Sequence, residues 1–277
     1  MALALDTVTF AYAGDRPVVR EVTASLTAGR VTAVLGPNAA GKTTLLRLML
    51  GQLQPGHGVV TLDGESVTAM SARRRARRIG YVPQRGSVGF AFTVRRVVAM
   101  GRYAHGEPAE GGAAVEAALA SLGLEGLADR SFVELSGGQQ QRVLLARAVA
   151  QAAGEGRVLL LDEPAAGLDL RHVHEALGLV RRLAGTGLAV AVVMHDLSLA
   201  ARYADEAWLI DDGRLVAAGP WAEVLDPSRL EPVYGVSLRR LADEGGTDER
   251  GEARPVFVAG PRGDTLSRNA PPASPPA

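Results

Sequence analysis

The sequence predicts an α/β fold. It should contain a parallel sheet with helices on its faces, an antiparallel strand layer ahead of it and an all-helical insertion within it. Three observations carry this reading. Short unbroken apolar runs such as Val158–Leu161 (VLLL) and Leu188–Met194 (LAVAVVM) have the length and composition of strands buried on both faces. In the second half of the chain such runs alternate with helical segments in βαβ order. Between about residues 85 and 153 strand signals vanish, and the chain is alanine-rich, helical and broken by glycines.

Taken in order, the alternating stretches LALDTVTFAY and VREVTASLTAG predict an antiparallel layer before Gly29. VTAVLG is a short buried strand running into a glycine-rich loop, and KTTLLRLML continues as an apolar helix. GVVTLDGESV returns as strand and turn. Ser71–Arg78 forms a short basic helix, followed by the strand IGYVPQ. After the helical insertion come the strand RVLLLDEP, a helix from about Asp169 to Leu183, the strand LAVAVVMHD and a helix from Leu197. EAWLIDDGRLVAAG is a hairpin with an Asp-Asp-Gly turn, and PWAEVLD a short helix with proline at its start. Past Tyr234 the pattern weakens. SLRRLAD and RPVFVAG can pair as a small hairpin across residues 244–253, and the Pro/Ala/Ser-rich tail 260–277 is expected to be disordered.

Composition narrows the function. The 277 residues carry 30 Lys plus Arg against 30 Asp plus Glu, so no global field argues for nucleic acid or an anionic membrane surface. No apolar run approaches the roughly 18–20 residues of a membrane span. The N-terminus lacks the charged and apolar regions of a signal peptide. With no cysteine there is neither disulfide nor thiolate metal site. A soluble intracellular protein is the expectation.

Among those 30 basic residues there is one lysine, Lys42, and it lies in GPNAAGKTT, Gly36–Thr44. The stretch Gly36-Pro37-Asn38-Ala39-Ala40-Gly41-Lys42-Thr43 matches G-x-x-x-x-G-K-[ST] between a buried strand and a helix, the context the motif requires. Loop N–H groups and the positive end of the helix would face an anion. Lys42 would reach terminal phosphates and Thr43 would bind Mg²⁺. A compact ammonium fits such a cradle where a planar guanidinium does not.

Three further features point the same way. Asp162 and Glu163 end an apolar strand, where open α/β sheets bind ligands. One could serve Mg²⁺ while the other faces an attacking water; the alternative makes them a cap and a solvated charge. Ser136-Gly137-Gly138 opens the helix QQQRVLLARAVA, with Ser136 as N-cap and two glycines exposing N–H groups, a second anion site or simply a well-capped helix. His195 closes the strand VVMHD beside the expected phosphate position, unless it is a core histidine. His172 and His174 are two apart, point to different helix faces and receive no chemistry. The run RRRARR reads as a solvated helix face.

LSGGQQQR after a phosphate loop and before VLLLDEP resembles the nucleotide-binding subunit of ATP-binding cassette (ABC) transporters, over about Leu3 to Val236. The resemblance implies a RecA-like P-loop NTPase core with an N-terminal antiparallel β layer and an inserted α-helical subdomain (about 85–153). Residues 1–236 would form the ATPase domain, 237–259 a small C-terminal extension and 260–277 a tail. By the same resemblance Tyr12 would stack on adenine and Gly36–Thr44 would hold the phosphates. Thr43, Asp162 and Gln84 would serve Mg²⁺, and Gln84 would also sense the membrane partner. Glu163 would polarise the hydrolytic water, Asp169 would lie in the D-loop and His195 would contact the γ-phosphate. Lys42, Glu163 and His195 are the catalytic expectation. Ser136, Gly137, Gly138 and Gln139 would complete the ATP site of a second copy docked head to tail.

One departure stands out: Ala39 occupies a position where many members have glycine, which puts a positive φ there in question. TVRRVVAMGRYAH, HDLSLAARYADEAWLIDDGRLVAAG and EVLDPSRLEPVYGV resemble ATPases of importers for iron chelates, haem and cobalamin. The implied role is ATP-driven uptake of haem or a ferric siderophore, with cobalamin as runner-up. The implied partners are permease subunits and, indirectly, a substrate-binding protein, at the cytoplasmic face of the inner membrane.

Overall fold

The computed structural model describes residues 2–14, 16–84, 91–106, 112–241 and 254–261. The chain is α/β, built on two main sheets. The strands are β1 (Leu3–Phe10), β2 (Val19–Leu26), β3 (Val31–Leu35), β4 (His57–Leu62), β5 (Glu65–Ser66), β6 (Ile79–Val82), β7 (Val158–Asp162), β8 (Ala189–Val193), β9 (Glu206–Asp211), β10 (Arg214–Pro220), β11 (Ser237–Leu241) and β12 (Val256–Gly260). The α-helices are α1 (Lys42–Met49), α2 (Ala72–Arg78), α3 (Val94–Ala99), α4 (Ala113–Ser121), α5 (Gly137–Ala152), α6 (Leu170–Gly185), α7 (Leu197–Tyr203), α8 (Trp221–Val224) and α9 (Pro227–Tyr234).

The first sheet is antiparallel, in the order β2-β1-β4-β5. The second runs β10-β9-β3-β8-β7-β6, parallel throughout except for β10, which the Asp211-Asp212-Gly213 turn folds back on β9. That turn holds Asp212 at φ 40 and Gly213 at φ 78, the two positive values a type I′ hairpin needs.

Strands β3, β7 and β8 are buried at every residue, which is why each reads as a continuous apolar run rather than an alternation. Their side chains nonetheless divide by parity. Leu159, Leu161, Val190 and Val192 join a core with α5 and α6, whereas Val158, Leu160, Ala189 and Ala191 join one with α1 and the antiparallel layer. The sheet is thus sealed on both faces, and its carboxyl edge carries the loops.

The described part of the insertion contains α3, α4, α5 and 3₁₀ turns, the longest at Met100–His105. An isolated bridge between Thr93 and Ser131 ties the start of α3 to the segment before α5. Residues 85–90 and 107–111 of it lie outside the described residues, as do the expected hairpin loop 244–253 and the tail from 262. Strand β11 pairs antiparallel with β12, Ser237 opposite Gly260 and Leu241 opposite Val256. Sequence pattern missed α9. Its interior Pro232 argues against a helix, but Asp226 caps it through the Ser228 N–H (2.9 Å) and Pro227 opens it with a preset φ.

Candidate nucleotide site

The loop between β3 and α1 is built on positive φ. Gly36 (φ 145), Ala39 (φ 63) and Gly41 (φ 98) all lie on the side that L side chains avoid. At Gly36 a Cβ would come within 2.0 Å of the Ile210 carbonyl oxygen, so β9 itself enforces glycine there. Ala39 has no such licence: a single left-handed alanine costs about 1–2 kcal/mol. The departure read from sequence is therefore a real local strain. Helix α1 begins with Gly41 and no side-chain cap, which leaves its first N–H groups for the cleft.

That cleft encloses about 930 Å³ and is lined by Asn38 to Thr44, Gln84, Glu163, His195 and Val18. Of these, Val18 escaped the sequence reading, since an isolated aliphatic residue before β2 carries no motif. Lys42 is buried, and its Nζ donates to the carbonyls of Gly36 and Pro37, 2.7 Å each. An ammonium has three donors, so one remains for an oxygen in the cleft. Burial lowers its pKa, while Glu163 and Asp162 oppose that shift.

Asp162 and Glu163 divide sharply in environment. Asp162 is fully buried, and neither carboxylate oxygen has a hydrogen-bond partner of good geometry among the described residues. Burial raises its pKa; the Thr43 hydroxyl, Arg47 and Lys42 pull the other way. Glu163 has φ 51, a strained conformation that turns it out of the strand axis, and only part of its side chain is exposed. His195 Nε2–H donates to Glu163 Oε1 over 2.7 Å. Burial pushes the Glu163 carboxyl up, but the bonds from His195 and Gln84 and the nearby Lys42 charge outweigh it and hold it below the usual range. Gln84 thus faces the carboxylate.

Tyr12 is half exposed, its ring edge-on to Phe10 with centroids 4.9 Å apart and its hydroxyl 3.3 Å from that of Thr44. A flat aromatic face beside the phosphate loop is suited to stacking on a base. Below the loop, the Tyr234 hydroxyl is sealed from solvent and makes no well-formed hydrogen bond among the described residues. Burial pushes its pKa up to about 12, against the opposing Gly36 N–H.

The remaining sequence-predicted residues form a second group outside this cleft. Ser136 and Gln139 make a reciprocal capping box on α5: Gln139 N–H donates to Ser136 Oγ (3.3 Å) and Ser136 N–H to Gln139 Oε1 (3.0 Å). Ser136 and Gly137 are exposed. A Cβ on Gly138 would sit 3.4 Å from Leu168 Cδ2 and 3.5 Å from Gly167 O, which puts the LSGGQ turn against the stretch leading to Asp169. Asp169 caps α6, accepting from His172 N–H (3.0 Å) and lying 2.7 Å from His172 Nδ1. His172 therefore has a partner the sequence reading did not assign.

A strand-loop-helix phosphate cradle, two carboxylates ending the next strand but one, and a histidine following the strand between and bonded to one of them define a P-loop ATPase with a cassette signature. The family model described as "ABC transporter" matches residues 19–166. The chain is 45% identical over 228 residues to a hemin import ATP-binding protein of Pseudomonas putida, covering 81% of this chain and 89% of that protein. It is 47% identical over 227 residues to a cobalamin import ATP-binding protein of Halobacterium salinarum, covering 80% of this chain but 56% of that protein. In three dimensions it resembles an inward-facing ABC transporter assigned to the metal-chelate type, at TM-score 0.77 and 28% identity, covering 94% of this chain and 98% of that one. A dimeric bacterial ABC transporter cassette matches at TM-score 0.70 and 26% identity, over 79% and 98% of the two chains. The chain belongs to the ABC transporter family and is one of its ATP-binding ATPases.

Proposed function

We propose that this chain is the ATP-hydrolysing subunit of a haem importer, working as a head-to-tail pair on the cytoplasmic face of the membrane. The observation that carries the ATPase half is the pairing of a buried, unpartnered Asp162 with an ionised Glu163 bonded to His195 at one cleft. Asp162 and Thr43 suit a hard divalent cation, because a fully buried carboxyl group without a well-formed hydrogen bond either takes up a proton or pairs with a cation, and an oxygen donor set favours a hard one. Bound Mg²⁺ would supply charge neutralisation for the phosphates. Lys42 and the loop N–H groups hold the terminal phosphates, and Tyr12 receives the base. Glu163, kept ionised by His195, Gln84 and Lys42, accepts a hydrogen bond from the attacking water and orients it. His195 keeps Glu163 in place and, lining the same cleft, would contact the γ-phosphate of a bound nucleotide.

The second group supports the pairing. Ser136 and Gly137 present an exposed, positively polarised helix start with no role in their own chain's cleft, as expected if they close the site of a second copy. Among the described residues no helix is long and apolar enough to cross a membrane, so the translocation path would belong to separate permease subunits. A groove between α2, α5 and Met100–His105 is suited to receive them. There Arg147 has no hydrogen bond or counter-charge among the described residues, and Met100 is partly exposed.

Haem is favoured over cobalamin because the match to the hemin import protein spans nearly all of that protein, whereas the cobalamin relative is matched over little more than half its length. Uptake of labelled haem, ferric siderophore and cobalamin in cells with and without the gene tests the cargo. Loss of haem uptake alone is expected; loss confined to either other compound would replace haem with it.

A further inference from the structure

The short helix after His195 is held by a distant part of the chain. Asp196 caps α7 through Ser198 N–H (2.8 Å) and Leu199 N–H (2.9 Å), so His195 is separated from the first turn of α7 by one residue. Helix α6 holds its outer end, His174 Nδ1 lying 2.6 Å from the Tyr203 hydroxyl and Arg181 Nη1 donating to the Arg202 carbonyl over 3.2 Å. Two further grips come from beyond residue 253. Phe257 N–H, in β12, donates to Ser198 Oγ over 3.0 Å. Arg254 is buried, and its Nη1 donates to the carbonyls of Ala201 (2.6 Å) and Ala204 (3.3 Å) at the other end of α7. There a guanidinium satisfies orphan carbonyls and complements the helix dipole. The same guanidinium lies 4.8 Å from the centroid of the Trp221 ring on α8.

Both ends of a seven-residue helix are thus gripped by one strand and the second residue before it, and the loop at the clamped N-terminus carries His195. His195 is itself weakly held: its side chain is 44% exposed, and its one hydrogen bond among the described residues is to Glu163. We propose that the C-terminal segment 254–260 is a positioning element for hydrolysis, with Arg254 and Ser198 fixing α7 so that His195 meets Glu163. This rests on the roles proposed above for Glu163 and His195. The effect belongs to turnover and not to nucleotide binding, because neither Arg254 nor Ser198 lines the cleft.

The test is ATP hydrolysis by the full chain, with single-turnover rates and KM for ATP, in Arg254→Met, Ser198→Ala, His195→Ala and the two double variants with His195→Ala. A loosened brace is expected to lower the rate about tenfold in Arg254→Met and about threefold in Ser198→Ala, with KM unchanged, since misplacements well under 1 Å already weaken a catalytic contact. In the His195→Ala background neither change should lower the rate further, because the brace acts through that residue. Melting temperature is measured alongside; Ser198→Ala introduces no buried charge and keeps the test open if Arg254→Met fails to fold. Wild-type rates in Ser198→Ala and in any folded Arg254→Met, or equal losses with and without His195, would overturn the proposal. Full turnover in His195→Ala would instead remove the reading it rests on.

Discussion

His195 Nε2 lies 2.7 Å from Glu163 Oε1, and the two residues follow the carboxyl ends of neighbouring parallel strands, β8 and β7. Glu163 makes this contact from a left-handed backbone at φ 51. The histidine is one of the groups that hold the Glu163 carboxyl below its ordinary range against the upward push of burial.

Replacing it should therefore move that balance. In His195→Ala the Glu163 pKa rises, so the acid limb of the hydrolysis profile, where rate falls as Glu163 takes up a proton, shifts to higher pH. The maximal rate should fall on the order of 10²-fold. A pH–rate profile of the variant beside wild type checks both; an acid limb that stays in place would contradict the coupling.

Asp162 gives a prediction of opposite sign. Its folded pKa is raised, so the native state holds this proton more tightly than the unfolded chain does. Its contribution to stability is fully present below the unfolded carboxylate value, about 3.9. That contribution is lost as pH rises through the higher folded value. Asp162→Asn removes the buried charge and should raise stability at neutral pH without nucleotide by about 1–2 kcal/mol. Thermal melts with ATP alone and with ATP plus Mg²⁺ check the cation. Mg²⁺ should add to the wild-type melting temperature and add nothing in the variant, and an equal increment in both would exclude Asp162 as the ligand.

Lys42→Arg conserves charge but not shape. Lys42 Nζ fits between two carbonyls at 2.7 Å in a buried loop, where a planar fork cannot. ATP affinity, measured by titration calorimetry, should fall by roughly tenfold or more. Retained affinity would mean the loop tolerates any cation.

Ala39→Gly relieves the φ 63 strain while adding chain entropy to the unfolded state. The net should be stabilising by about 0.5–1 kcal/mol, or roughly 1–4 °C in melting temperature. Unchanged or lowered melting would show that the loop is relaxed around alanine.

The elements most legible in the sequence were those whose signal is local. The apolar runs at Val158–Leu161 and Leu188–Met194 became β7 and β8, buried at every residue, and the single lysine marked the phosphate loop. What was not legible depends on contacts between distant segments. Nothing in Arg254 announces that it caps α7 some 50 residues earlier, nor in Tyr234 that it lies beneath Gly36. Helix α9 was hidden by Pro232, a residue whose local preference was overruled by the Asp226 cap and by the burial of Leu230. The LSGGQ stretch was recognisable, but its exclusion from its own chain's cleft is a fact of three dimensions.

The proposed function requires Glu163 to drive hydrolysis in a site shared by two copies of the chain. Glu163→Gln keeps the shape of the side chain and removes its charge. Light scattering of this variant with and without ATP, beside its rate of phosphate release, tests the claim most directly. An ATP-dependent dimer with hydrolysis nearly abolished is expected. A variant that stays monomeric with ATP and turns over at the wild-type rate would contradict it.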